Sequence, residues 1–465
     1  MINTTKKDVL WNYAATFLKL GSSIIILPLV LKVMPSETVG VWTIFMTITA
    51  FSSLLDFGFN PSFERNVTFV FSGVKELTVT GFEKIESPSD IRVDYGLLKS
   101  VIEAMRWIYL RMALILFVLL ATIGTYYINI ILQKYQGDKQ EVYIAWLMLC
   151  SICTYNLFTL YYDALLQGKG MIKRAKQIVI LGYVIYLSIS VVLICFNFGL
   201  IALIAAQLTS TIVIRFLSHR SFFTREMKDN LSNVTARDKG EVLKTIYPNA
   251  LKIGLTSLGG FVIQKSSMII GALYLTLNEI ASYGISMQLI AVLSSFASIY
   301  VSTFIPRIVH LRVINGVNEI KKIYFKGQFI LLISYLFGGV AILFFGPYVL
   351  KLMGSKTFLL PTVLLILALF LSFIETNLSA AGSILLTKNH VPFFKASLIS
   401  GFFIVLGLFV ALKYWHLGVL GMILIPIIVN LSYQAWKWPW EVVKDLELKI
   451  TDIKRMKNDT EFYIK

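Results

Sequence analysis

The chain predicts an all-α polytopic membrane protein of about twelve transmembrane helices in two pseudo-symmetric six-helix bundles, and three observations predict it. Apolar segments, each on the order of 20 residues and long enough to cross a bilayer core, fill most of the sequence. The 465 residues are 57% hydrophobic and 15% charged, with a mean hydropathy of +0.74 and a net charge of +17, which leaves no room for a large soluble domain. Loop lysines and arginines alternate: the N-terminal tail and every second loop hold nearly all of them, while the intervening loops hold Lys32, Lys134, Lys139, Lys351, Lys356 and Lys413. That bias sets both termini in the cytoplasm. It also reads the basic surplus as a topogenic and anionic-lipid signal, so nucleic acid is not an expected partner.

In chain order the segments are 10 to 33, 39 to 60, 107 to 132, 142 to 166, 177 to 197, 199 to 217, 250 to 275, 280 to 304, 324 to 345, 361 to 386, 396 to 412 and 417 to 436. The first is too long and too interrupted by lysine for a signal-peptide core, and no small-x-small cleavage site follows, so it reads as an uncleaved span. The second ends in Asp56-Phe57-Gly58; without a glycine-rich loop or catalytic loop, this triplet terminates a membrane helix and is no kinase element. In the fourth, Cys150 and Cys153 form a CxxC two turns inside the membrane, where small apolar packing explains them better than redox chemistry. Gly168-Lys169-Gly170 lacks the strand and helix of a phosphate loop. His219, His310, His390 and His416 have no metal-ligand spacing, and neither a catalytic residue nor a cofactor is expected. The resulting domains are 1–217, with an insertion at about 72–100, a cytoplasmic linker at 218–249, a second bundle at 250–436, and a cytoplasmic tail at 437–465.

The bundles are related by an internal repeat. A shift of about 242 residues lays Glu37 on Glu279 and Arg65 on Arg307 without a gap, bringing the first two spans onto the seventh and eighth. Leu165-Leu166-Gln167-Gly168-Lys169 after the fourth span corresponds to Leu385-Leu386-Thr387-Lys388-Asn389 after the tenth. Repeats with an even number of spans share one orientation, which implies a pseudo-two-fold axis along the membrane normal.

Polar residues within apolar spans mark a site, because an ionisable group at mid-depth costs several kcal/mol unless it faces a cavity or a partner. Asn12, Thr16, Lys19 and Ser23 form one stripe on the first span, and the seventh carries Ser257, Gln264, Lys265 and Ser267. Under the repeat, Lys19 and Lys265 lie about one helical turn apart in depth on matching faces, as two cations for an anion would. The competing reading is an interhelical ion pair or hydrogen bond that holds the bundle together. On the tenth span Ser372, Glu375, Ser379 and Ser383 share a face, with Glu375 near mid-span; ion coupling and pairing with a lysine both explain it. Asp56 and Asp163 close the second and fourth spans and join Glu375 as candidates for coupling or gating. Arg111 and Lys252, near span ends, read as snorkelling side chains. Gly21 and Pro28 in the first span, and Gly254, Gly259 and Gly260 in the seventh, supply places to bend.

With Leu54-Leu55-Asp56-Phe57-Gly58-Phe59, Leu166-Gln167-Gly168 and two six-span halves over nearly its whole length, the chain resembles the O-antigen and polysaccharide flippases of the multidrug/oligosaccharidyl-lipid/polysaccharide (MOP) exporter superfamily. The resemblance implies a V-shaped, MATE-like fold with a cationic cavity in a bacterial inner membrane. It implies ion-driven alternating access, coupled to H+ or Na+, that carries an undecaprenyl-diphosphate-linked oligosaccharide between leaflets. The lipid bilayer is then an obligate partner, and a polysaccharide polymerase and chain-length proteins are expected ones. Lys19 and Lys265 would hold the diphosphate, with Asn12, Thr16, Ser23, Gln264 and Ser379 lining the polar path. Twelve spans differ from the fourteen of lipid II flippases, and the stretch from Ser72 to Lys99 exceeds the family's usual first loop. A cation-coupled multidrug exporter is the alternative within the fold, which the two lysines disfavour. A membrane glycosyltransferase or polymerase would need a sizeable outer loop with carboxylates, and the longest outer loop is only about residues 346 to 360. A scaffold would leave the mid-membrane charges unexplained.

Overall fold

The structure, a computed structural model, describes residues 6–77, 93–313, 316–388 and 392–448. Among these every regular element is a helix, and each apolar segment lies on one helix or on two or three consecutive ones. Nine described helices are long and apolar enough to cross a membrane, and a bent pair makes a tenth. The segments at 10 to 33 and 250 to 275 form two further long helices, which fits the expected architecture. The chain divides into two compact units, one made of Met1–Phe261 with Met353–Lys356 and the other of Val262–Leu352 with Thr357–Lys465.

Unit 1 contains α1 (Lys6–Val33), α2 (Ser36–Leu54), α3 (Phe59–Phe71), α4 (Tyr95–Leu119), α5 (Thr125–Leu132), α6 (Lys139–Phe158), α7 (Tyr161–Gly168), α8 (Ile172–Cys195), α9 (Gly199–Phe222), α10 (Arg225–Ser232) and the first part of α11 (Lys239–Tyr274). A π-helical turn, Leu120–Gly124, joins α4 to α5. α6 packs on α2, α4 and α9, α8 on α1 and α9, and α7 on α3 and α9. Phe45, Phe63, Tyr109, Trp146 and Phe222 fill its interior. Gly168 permits the α3–α7 approach: a Cβ there would lie 2.6 Å from the side chain of Val67 and 2.7 Å from the Glu64 carbonyl. The next residue, Lys169, holds its ammonium 5.8 Å from the ring of Phe71 and 5.5 Å from that of Phe222, and burial there lowers its pKa.

Unit 2 continues α11 and adds α12 (Leu277–Val313), α13 (Val317–Leu352), α14 (Thr362–Leu386), α15 (Phe394–Lys413), α16 (Gly418–Val429) and α17 (Ala435–Asp445), the last two joined by a π-helical turn, Asn430–Gln434. Its packing repeats that of unit 1. α14 meets α12, α13, α16 and α17 as α6 and α7 together meet α2, α4 and α9, and α15 meets α16 as α8 meets α9. Tyr274 of α11 touches Phe409 of α15, matching the α1–α8 contact.

Three boundaries differ from the sequence reading. Helices run past the apolar segments at the basic ends, so the stretches 61–106 and 218–249 contain α3, the start of α4, α10 and the start of α11. Lysine, arginine and glutamate sustain a helix in water as well as apolar residues do in lipid. The expected break at 249/250 falls inside α11, and that at 436/437 inside α17, whose Trp438 and Val442 are buried in the core of unit 2 with Leu446. Much of the insertion at 72–100 and of the 437–465 tail, with His390, lies outside the described residues. Gly21, Pro28, Gly254, Gly259 and Gly260, expected to interrupt their spans, lie in helices that continue through them.

Candidate functional site

In unit 1 the site builds from the interruption between α2 and α3. Phe57 and Gly58 adopt φ of 45° and 70°, so the helix stops at Leu54 and restarts at Phe59, with the two segments bent by 44°. Asp56 lies in the break, 9% exposed. Its carboxylate accepts the Asn60 N–H at 3.0 and 3.1 Å, satisfying a free donor of α3, and the Tyr109 hydroxyl donates to it at 2.5 Å. α11 lies along the break, with Phe261 against Phe51 and Tyr247 against Phe59. Gly254 makes this possible, since a Cβ there would sit 2.6 Å from Phe57 Cα.

Tyr109 continues the network by stacking on Tyr161, whose hydroxyl accepts from Arg106 Nε at 3.4 Å. Two residues on, Asp163 pairs with Arg215 at 2.9 Å, and Arg215 donates twice more, at 3.2 and 2.6 Å, to the side-chain oxygen of Asn156. The expected carboxylates Asp56 and Asp163 thus each have a dedicated partner. Tyr109, Arg106 and Arg215 were not singled out from the sequence. Arg215 resembles a snorkelling residue near the end of its segment, yet its side chain is 7% exposed.

Unit 2 holds the second cluster. Gln264 and Lys265 are exposed on α11, and Glu375 is half-buried on α14. Lys265 acts electrostatically on Glu375, and Glu375 on the buried Tyr283. Among the described residues neither charge makes an ion pair within 4 Å. Ser267, which also acts on Tyr283, donates to the Met422 carbonyl at 2.8 Å. The serine face of α14 divides. Ser372 joins Ser294, Tyr335 and Thr376 in a hydroxyl cluster with spacings of 2.6 to 2.7 Å. Ser379 stays exposed, its carbonyl accepting from Ser383.

Asn12, Thr16, Lys19 and Ser23 lie on helical backbone in α1, and their side chains are outside the description, as is that of Lys252. Lys19 belongs to unit 1 and Lys265 to unit 2. Arg111 stacks on Trp107, its guanidinium 3.6 Å from the ring centroid. Cys150 and Cys153 are buried free thiols, and no cluster of His, Cys, Asp and Glu fit to hold a metal occurs among the described residues.

Two units with the same packing order, built from long apolar helices that carry ionisable residues, define a polytopic membrane protein with the fold of MATE-type transporters. Solved structures show the fold directly. The lipid II flippase MurJ in an inward closed conformation superimposes with a TM-score of 0.63 at 13% identity, over 96% of this chain and 89% of that one. An inward-facing multidrug resistance MATE family transporter of the MOP superfamily gives 0.58 at 15% identity, over 93% and 95%. A MATE transporter in the bent conformation gives 0.50 at 15% identity, over 97% and 100%. No family model and no curated protein sequence matches the chain.

Proposed function

We propose that this chain is a MOP-type transporter that flips an undecaprenyl-diphosphate-linked oligosaccharide across a bacterial inner membrane by alternating access, coupled to a proton or sodium gradient. The observation that carries the reading is Lys265, exposed in the apolar half of α11, on a fold shared with a lipid II flippase along 96% of the chain. A diphosphate bearing a polar glycan does not cross hydrocarbon unaided, so its carrier must supply cations and a wet path while the polyprenyl tail stays in lipid. Lys265 and Lys19 supply the charge. Gln264 and Ser379, with Asn12, Thr16 and Ser23, supply polar groups along the path. Glu375, within electrostatic reach of Lys265, supplies a carboxylate whose occupancy by a proton or sodium ion couples the cycle, and Asp56 and Asp163 gate it. A polysaccharide polymerase and chain-length proteins would act on the delivered product.

The test is translocation in proteoliposomes of a fluorescent lipid-linked oligosaccharide, read by an external glycan-binding quencher. The wild type is expected to move it under an imposed gradient. Lys265→Ala and Lys19→Ala should each slow it by about tenfold or more, with Arg at either position retaining part of the rate because the charge is kept. Uptake of an organic cation with no movement of the lipid-linked sugar would replace this reading with the multidrug one. Wild-type rates in both Ala variants would remove the diphosphate role.

A further inference from the structure

Unit 2 contains a cavity of about 500 Å³ at the basic ends of α14 and α17, lined by neither Lys265 nor Glu375. Its walls include Leu385, Lys388, Lys437, Trp438, Glu441 and Lys444. Asp445, with a side chain 5% exposed, accepts from both Arg312 and Lys388, so one carboxylate holds two cations at the rim. Arg312 is further fixed by Thr387 Oγ1 at 3.3 Å. Lys437 is matched by Glu441 at 2.7 Å. Lys444 is exposed and makes no ion pair among the described residues. Two carboxylates against these four cations leave a local surplus of positive charge, with an ammonium free to donate.

The surroundings favour a lipid over a soluble anion. α14 ends its apolar run at Leu386, so the cavity opens where a hydrocarbon-facing helix gives way to charge. Trp438 and Val442 of α17, and Leu446 just after it, turn into the core, while Trp436 and Trp440 remain 54% and 53% exposed. Tryptophans outside the protein core and next to lysines are typical of headgroup depth. Leu385, Pro392 and Trp438 give the cavity an apolar wall, which glycerol and the first methylenes of an acyl chain would cover. Basic pockets between spans at such a level take anionic headgroups.

We propose that this cavity binds the phosphate headgroup of an anionic glycerophospholipid, held by Lys444 and Lys437 with Lys388 beside them. The experiment uses the full-length protein in nanodiscs, with native mass spectrometry counting retained phosphatidylglycerol against phosphatidylcholine. Phosphatidylglycerol is expected to be retained preferentially, and Lys444→Gln to weaken retention about fivefold, the value of one lysine near an anionic surface. Glu441→Gln releases Lys437 and should strengthen retention, a gain that misfolding does not produce. Millimolar inorganic phosphate should leave the lipid in place. The proposal falls if Lys444→Gln retains the lipid as the wild type does, if phosphatidylcholine is held equally, or if inorganic phosphate displaces the lipid and so marks a free-phosphate site.

Discussion

Glu375 is the residue whose chemistry is least settled by packing. It is half-buried on an apolar helix, with a lysine close enough to act on it and too far for an ion pair. A static bridge would close that gap, since desolvated charges gain most in direct contact. On the proposed reading, an unclosed pair leaves the carboxylate available to a proton or a sodium ion. Glu375→Gln is therefore expected to leave the protein folded and to abolish the dependence of transport on an imposed proton or sodium gradient. Full retention of that dependence would exclude coupling through this residue. Should the variant instead lose stability and regain it on removal of Lys265, the two residues act as a structural pair. Lys265 and Glu375 were both legible in the sequence, because a charge inside an apolar run stands out. Arg215 was not. Its partners Asp163 and Asn156 lie on two other helices, α7 and α6, and no spacing rule connects residues joined only by tertiary packing. Tyr109 escaped for the same reason: as a tyrosine among apolar residues it carries no signal until Asp56 is placed beside it.

At the scale of elements, the two halves differ where α2 breaks and α12 does not. α2 and α3 together cover the stretch that α12 covers as one uninterrupted helix. The break depends on Gly58 in a left-handed conformation, on Asp56 capping α3, and on Gly254 letting α11 approach. Gly254→Ala would press a methyl group onto the backbone of Phe57, itself at a positive φ with little room to yield. The expected cost is about 1–3 kcal/mol, visible as a lower Tm in detergent. Gly260→Ala, on the same helix, meets nothing within 4 Å and should be neutral or stabilising by up to about 1 kcal/mol. Equal effects at the two positions would sink the packing argument. The helices themselves were legible from apolar run length, as was the stop at Asp56-Phe57-Gly58. The ends at the basic side were not, because hydropathy measures what lipid tolerates and says nothing of where a charged helix unwinds.

For the whole molecule, the shared packing order of the two units supports the duplication read from Glu37/Glu279 and Arg65/Arg307. The extra length between α3 and α4, where only residues 314 to 316 separate α12 from α13, shows why a single shift does not carry through both halves. Orientation is the property to test at this scale. A cysteine replacing Ser89 is expected to react only with membrane-permeant reagents in intact cells, as are cysteines near either terminus, because the Lys/Arg bias is spread over many loops. Labelling of the Ser89 site by an impermeant reagent from outside would invert the topology.

One detail of unit 1 sets an order of events during synthesis. Its helices are drawn from the first part of the chain, but Met353–Lys356 belongs to it too. Lys356 donates its backbone N–H to the Leu31 carbonyl at 3.0 Å and its ammonium to that of Val33 at 3.1 Å, at the end of α1. Those carbonyls, exposed by the end of a helix, receive their partner from residues made long after it. At translation rates of about 5–20 residues per second, the ribosome needs on the order of 10 s to pass from Phe261 to Lys356. Throughout that interval the nascent first unit has its helices but not its final fastening, so its completion waits until translation has run through α12 and α13 of the other half to Lys356.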